Sequence, residues 1–192
     1  MYLVFEGIDL VGKTSQIELL QKEFSDFIFT KEPGGTEFGN KIRSMILHDN
    51  FSINRISEFL LFLSDRSEHF QNVIKQNIQN GKTVVSDRSL ISGMAYALQN
   101  GGVSEEKILE MNLMTIENTL PDLVIFLKIS EDELLKRRAS RGHDNIEIRG
   151  IEYALQVQKH LEYWIDKLKI PVLKIDAIKP AEEIAKIIKS RI

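Results

Sequence analysis

This sequence predicts an α/β fold, a doubly wound five-stranded parallel sheet flanked by helices. Three observations carry that expectation. Short β-rich apolar runs alternate with longer stretches of helical periodicity along the 192 residues. The apolar runs are nearly continuous, as in strands covered on both faces. Between the first run and the first helical stretch stands Gly7-Ile8-Asp9-Leu10-Val11-Gly12-Lys13-Thr14, which spells the G-x-x-x-x-G-K-T phosphate loop, or P-loop.

The elements follow in order. Tyr2-Leu3-Val4-Phe5 marks a buried strand over 2–6, and Ile17, Leu20 and Phe24 recur at helical spacing in a helix over 13–24. Further strands are expected over 27–31, 83–87, 123–128 and 172–176. Helices are expected over 38–47, 55–79, 91–99, 105–119, 131–138, 150–169 and 181–190. Gly81 and Pro171 stand where a helix stops before a strand, and Pro180 precedes the last helix, where its fixed φ favours initiation. No repeat, low-complexity tract or linker divides the chain, so one domain over 1–192 is expected. In such sheets ligands bind at the carboxyl ends of the strands.

Composition narrows the function. At 43% hydrophobic and 28% charged residues the chain has the balance of a soluble globular protein. No apolar run approaches the ~20 residues of a membrane span. The N-terminus opens directly on a strand without the marks of a secretory signal, so the cytoplasm is the expected location. The absence of cysteine excludes disulfides, thiol catalysis and cysteine-based zinc sites. His48, His69, His143 and His160 show no metal-ligand spacing. A net charge of −3 argues against a nucleic-acid partner. Positive charge is instead concentrated locally, in Lys136-Arg137-Arg138-Ala139-Ser140-Arg141.

Chemistry begins at the P-loop. Gly7 and Gly12 let the backbone turn tightly with N–H groups inward, and the following helix N-terminus adds positive potential, which makes an anion nest for a triphosphate. Lys13 can bridge the β- and γ-phosphates, and the Thr14 hydroxyl can hold Mg²⁺. Other strand ends lead to Glu32-Pro33-Gly34-Gly35-Thr36 and Asp87-Arg88-Ser89. Asp87 is placed to orient Mg²⁺ through water, or else caps the next helix. Arg88 can grip an acceptor phosphate bidentately, the alternative being a surface ion pair. Phe62 and Arg66, at i and i+4, share a helix face that suits a stacked, edge-bonded base, although the periodicity alone favours Phe62 as ordinary core, beside the apolar Phe59, Leu60 and Leu63. Arg137 and Arg141 share a face before Gly142, in a basic excursion over about 137–149 that reads as a mobile lid over phosphates or as a solvated charged face.

Taken together, Phe5-Glu6-Gly7-Ile8-Asp9 with Gly12-Lys13-Thr14, Glu32-Pro33-Gly34-Gly35-Thr36, Leu61-Phe62-Leu63-Ser64-Asp65-Arg66, Asp87-Arg88 with Ser92 and Ala95-Tyr96, and Pro121-Asp122-Leu123 closely resemble bacterial thymidylate kinases, a nucleoside monophosphate kinase family of P-loop proteins. The resemblance spans essentially the whole chain. It implies ATP as phosphoryl donor with Mg²⁺, dTMP as acceptor, and a homodimer formed through long helices. It implies a donor site at Gly7, Ile8, Asp9, Leu10, Val11, Gly12, Lys13, Thr14 and Arg137, with metal at Thr14 and Asp87. On the acceptor side it implies that Phe62 stacks on thymine and Arg66 reaches its O4 edge or a nearby phosphate. Arg43 and Arg88 then hold the phosphate, Ser92 lies near the pyrimidine edge, Tyr96 closes on the sugar, Asp9 lies near the 3′-hydroxyl or metal, and Glu37 positions the sugar or its helix. The 176–178 segment is similar to the family's adenine-side loop.

The chain departs from the pattern at the lid, where Asp144-Asn145-Ile146-Glu147 lacks an expected arginine, and Asp9-Leu10-Val11 supplies none in the P-loop. The catalytic set is therefore expected to be Lys13, Arg88 and Arg141, with Arg137 and Arg149 as alternatives to Arg141. Lys128 stands where the family often has aspartate, and Ser89 follows Asp87-Arg88 as in deoxynucleoside kinases. A kinase of thymidine is thus the nearest rival, with Glu32 available as its base. A nucleotide-gated switch would want Asn-Lys-x-Asp, and Asn40-Lys41-Ile42-Arg43 lacks the final aspartate.

Overall fold

The computed structural model describes residues 1–47, 53–140 and 150–192. The chain runs β1 (Tyr2–Glu6), α1 (Lys13–Gln21), β2 (Ile28–Lys31), α2 (Glu37–Leu47), α3 (Arg55–His69), a π-helical turn (Phe70–Ile74), α4 (Lys75–Gln79), β3 (Val84–Asp87), α5 (Leu90–Asn100), α6 (Glu105–Thr115), β4 (Leu123–Lys128), α7 (Glu131–Ser140), α8 (Gly150–Leu168), β5 (Val172–Asp176) and α9 (Ala181–Lys189). The five strands pair in the order β2-β3-β1-β4-β5, every pair parallel. The winding reverses at β1, and that reversal opens a crevice at the carboxyl edge. The P-loop leaves β1 at this point.

The near-continuous apolar strands are explained by burial on both faces. Leu3, Val4, Phe5, Val84, Val85, Val124, Ile125, Phe126 and Leu127 are all fully buried. Helix α1 packs against α9, while α3, α5, α6 and α8 pack among themselves around α5. Among the described helices, none is long and apolar enough to cross a membrane.

The differences from the expected boundaries have local causes. The first helix ends at Gln21 rather than residue 24 because Glu23 N–H bonds back three residues to the Leu20 carbonyl at 3.0 Å, tightening the last turn. The helix expected over 105–119 stops at Thr115. Beyond it Glu117 and Asn118 take left-handed φ of 48° and 58°, and Asn118 N–H closes on the Leu113 carbonyl at 2.9 Å. The stretch expected as one helix over 55–79 is helical throughout but carries the π turn, with Phe70 and Ile74 buried. Asn54, Ser89 and Ser104 cap α3, α5 and α6 with side-chain oxygens, each accepting from a backbone N–H of the first turn.

Replacing the fully buried Phe126 of β4 with alanine should cost about 3–5 kcal/mol of unfolding free energy, because the space cannot collapse between two helix layers. A urea titration reads this as a lower midpoint at unchanged slope. A loss below about 1 kcal/mol would show that the centre of the sheet is not close-packed.

Candidate active site

The P-loop folds as its glycines require. Gly7 has φ 146°, and a Cβ there would lie 2.6 Å from the Leu127 carbonyl oxygen, so only glycine lets the loop pass this close to β4. Lys13, the first residue of α1, curls back over the loop. Its Nζ donates to the carbonyls of Gly7 (2.9 Å) and Ile8 (3.0 Å). Burial, reinforced by the neighbouring Arg88 guanidinium, pulls its pKa down to about 8, against the opposing pull of Asp87, Asp9 and Glu6. A buried lysine so held is poised to take up an anion. Thr14 is exposed in the first turn of α1.

Arg88 reaches the same carbonyl from the other side. Its Nη1 donates to Gly7 O at 3.2 Å and to Ser92 Oγ at 3.0 Å, and its Nη2 meets Asp9 Oδ1 at 2.5 Å. Its backbone is left-handed at φ 72°, unusual for arginine, and its N–H bonds to Phe5 O at 2.9 Å. Burial would raise the Asp9 carboxyl, but Arg88, Lys13 and Arg43 together hold it below the ordinary aspartate value. Three cations therefore surround one carboxylate at the mouth of the loop. Ser92 lies with Arg88 and Glu6: its hydroxyl donates to Glu6 Oε2 at 2.5 Å.

The Glu32–Thr36 loop is built on a buried network. The Glu32–Pro33 bond is cis. Glu32 accepts from Arg66 Nε at 2.9 Å and pairs with His69 Nδ1 at 3.0 Å. The far nitrogen of His69 meets Thr30 Oγ1 at 2.6 Å. Burial opposes ionisation of Glu32, yet Arg66 and His69 outweigh it and keep the carboxyl below its usual range. Asp65 accepts from Gly34 N–H at 3.0 Å, and Arg43 Nη1 donates to Pro33 O at 3.1 Å. Glu32 is thus committed to a cation and a ring, which removes it as the base that a thymidine kinase would need. Glu37 is exposed in the first turn of α2, 3.6 Å from Lys41.

Phe62 of α3 and Tyr96 of α5 line one cleft together with Gly93, Phe59 and Ala97. Phe62 is only half-buried, which separates it from the core residues Phe59 and Leu63 on the same helix. Arg66 is almost wholly buried. Besides Glu32 it donates to Asn112 Oδ1 at 2.6 Å and to Ser89 O at 3.2 Å. It lies directly beneath Gly93, where a Cβ would stand 2.5 Å from its Nη2. The Arg88 guanidinium carbon sits 5.8 Å from the centre of the Tyr96 ring, and burial pushes the tyrosine pKa up to about 12.

Arg137 connects the P-loop to the segment after β5. Its Nη1 donates to Leu10 O at 3.1 Å and its Nη2 to Ala177 O at 2.5 Å, while Nε pairs with Glu133 at 2.9 Å. Asp87 Oδ1, at the end of β3, is buried with no hydrogen-bond partner among the described residues. A buried orphaned acceptor calls for an ion or water. Arg141, Arg149 and the 144–147 segment, expected in the lid, lie outside the described residues. Lys128 pairs with Glu162 at 2.9 Å on the surface.

Of the residues singled out in the sequence, the structure brings Lys13, Asp9 and Arg88 together at the P-loop, with Arg43 acting on Asp9 and Ser92 bonded to Arg88, and sets Phe62 and Tyr96 on one cleft. The sequence reading missed Glu6, Asn112 and the structural part of His69. A lone carboxylate closing an apolar strand is the signal that could have marked Glu6. Asn112 is one polar residue in a mixed helix and left no such trace.

Comparison with known proteins agrees with this geometry. Residues 5–188 match the family profile described as thymidylate kinase. The chain is 44% identical over 192 residues to the thymidylate kinase of Sulfurimonas denitrificans, covering 100% of this chain and 99% of that protein. It is 44% identical over 192 residues to that of Campylobacter concisus, covering 99% and 97%. A crystal structure of thymidylate kinase from Ehrlichia chaffeensis superposes with a TM-score of 0.79 at 25% identity, covering 100% of this chain and 97% of that one. With its P-loop, its Glu32–Thr36 loop and its Phe62–Tyr96 cleft set around one doubly wound sheet, the chain belongs to the thymidylate kinase family.

Proposed function

We propose that this protein transfers the γ-phosphoryl group of ATP to the phosphate of dTMP, giving dTDP and ADP. The observation that carries the reading is the meeting of Lys13 and Arg88 on one carbonyl, that of Gly7, from opposite sides. One cation belongs to a triphosphate loop, and the other faces the acceptor cleft. An oxygen of the dTMP phosphate forms the new bond to the γ-phosphorus while the bond from that phosphorus to the β-bridging oxygen breaks. The acceptor oxygen is already anionic near neutral pH, so no enzyme base and no covalent intermediate are needed. What the protein supplies is charge neutralisation and alignment of two anions that repel each other.

Lys13 turns its ammonium from the Gly7 and Ile8 carbonyls to the donor phosphates. Arg88 and Arg43 hold the acceptor phosphate, and Asp9 keeps Arg88 oriented until it arrives. Phe62 and Tyr96 take the thymine and its sugar between them, while Arg66, buried beneath Gly93 and bonded to Glu32, Asn112 and Ser89, braces the floor of the cleft. Mg²⁺ fits the orphaned Asp87 oxygen and the exposed Thr14 hydroxyl, and when bound it neutralises phosphate charge. Arg137 ties the P-loop to Ala177, which supports a donor-base site at the 176–178 loop. We place the reaction in the cytoplasm within a single domain. A homodimer through α2, α3 and α6 would cover Met45, Ile56, Leu60 and Met114, which are exposed on these adjoining helices. A sedimentation mass of one chain at micromolar protein would count against it.

The deciding assay measures ADP formed from ATP and Mg²⁺ with dTMP against thymidine. Turnover with thymidine alone would overturn the proposal. Lys13→Ala and Arg88→Ala should each lower kcat/KM by at least roughly a hundredfold, ~2.7 kcal/mol. Near-normal turnover of either removes its assigned role. Because burial lowers the Lys13 pKa to about 8 and a bound triphosphate favours its charged form, ATP binding should take up protons, increasingly so as pH rises through that range. Calorimetry in buffers of different ionisation enthalpy reads this uptake, and Lys13→Ala should abolish it.

A further inference from the structure

Glu6 is an acidic residue at the end of a strand whose other members are apolar, and it is fully buried. A buried carboxylate costs several kcal/mol unless it is compensated. Among the described residues no lysine or arginine bridges it directly. It is compensated by neutral donors: Ser89 Oγ at 2.7 Å, Ser92 N–H at 3.2 Å and Ser92 Oγ at 2.5 Å. Ser92 Oγ in turn accepts from Arg88 Nη1 at 3.0 Å.

The polarity of this chain is fixed by counting protons. A serine hydroxyl has one. Glu6 takes it, which leaves the oxygen lone pairs facing the guanidinium and strengthens them as acceptors. Arg88 stands on a left-handed backbone that its sequence does not favour, a conformation that persists only where the surroundings over-determine it. Glu6 contributes to that determination twice. Ser89, which it accepts from, also caps α5 by accepting from Ile91 N–H at 3.2 Å. Ser92 reaches the side chain itself.

We propose that Glu6 is a positioning residue for phosphoryl transfer, acting through the Ser92 hydroxyl to aim the Arg88 guanidinium at the acceptor phosphate. Glu6 touches neither substrate. Its carboxylate sets which way the hydroxyl points, and the hydroxyl sets where Nη1 rests before the acceptor binds. Asp9 secures Nη2 in the same way from the open side, so the two carboxylates hold the two arms of one guanidinium, one directly and one through a relay. The proposal rests on the assignment of Arg88 to the acceptor phosphate.

The test is a double-mutant cycle. Glu6→Gln and Ser92→Ala are each measured alone and combined with Arg88→Lys, with kcat, both KM values and the melting temperature recorded. Each single variant should lower kcat/KM for dTMP by about tenfold, while KM for ATP changes by less than about twofold. On the Arg88→Lys background the additional loss should fall below about twofold, because lysine cannot use the relay. Equal losses on both backgrounds, or equal effects on ATP and dTMP, would overturn the relay and leave Glu6 a purely structural group. Ser92→Ala keeps Glu6 and its Ser89 bond, so it decides the matter if Glu6→Gln does not fold. Undiminished activity of Arg88→Lys would instead overturn the Arg88 assignment itself.

Discussion

One backbone oxygen organises this molecule: the carbonyl of Gly7. Lys13 and Arg88 both donate to it, and no residue but glycine fits beside Leu127 to present it there. The constraint reaches down into the sheet. The loop can pass that close only because β1 and β4 pair in parallel with Glu6 opposite Phe126. It reaches outward as well, since α1 starts at Lys13 and α5 starts two residues after Arg88. These two cations are therefore placed by strand register and helix starts.

Charge balance is the second level. Burying cations beside each other is unfavourable, and Lys13 shows it in a depressed pKa. The site tolerates this because carboxylates are distributed around it in distinct environments. Asp9 is held ionised by direct pairing, and Glu32 is held ionised deep behind the acceptor loop. Glu6 is different: burial raises its pKa above the ordinary glutamate value, and the serine hydrogen bonds with the nearby Arg88 and Lys13 offset that only in part. On the proposed reading, an arriving triphosphate and monophosphate meet positive charge already desolvated and fixed, which is where such charge has most effect on a transition state.

Most of the architecture could be read from local signals. Strands β1 and β4 fall on the expected residues because apolar runs in the doubly covered centre of the sheet have sharp ends, and the edge strand β5 is bounded by Pro171 before it and Asp176 at its end. The P-loop was legible because backbone geometry itself dictates its glycines. Helix ends at 21 and 115 were not, since left-handed Glu117 and Asn118 carry no glycine to announce the turn. The buried networks were the least visible. Glu32, His69, Arg66 and Asn112 are far apart in sequence and are brought together only by packing of α3 and α6 behind β2. Periodicity cannot distinguish an arginine that faces a ligand from one that holds a framework together.

The close contacts at glycines imply an uneven tolerance to genetic variation. Gly35 lies against His69, Gly39 against Asp65 and Gly93 against Arg66, each with no space for one more carbon. Every missense change at a glycine codon adds at least that carbon. A saturation library should therefore contain intolerant islands at these three positions, well separated along the gene but mapping onto one buried polar seam. Gly81, which faces open space and lies away from the phosphate loop, is limited by its left-handed backbone alone, so a short side chain there should be penalised less.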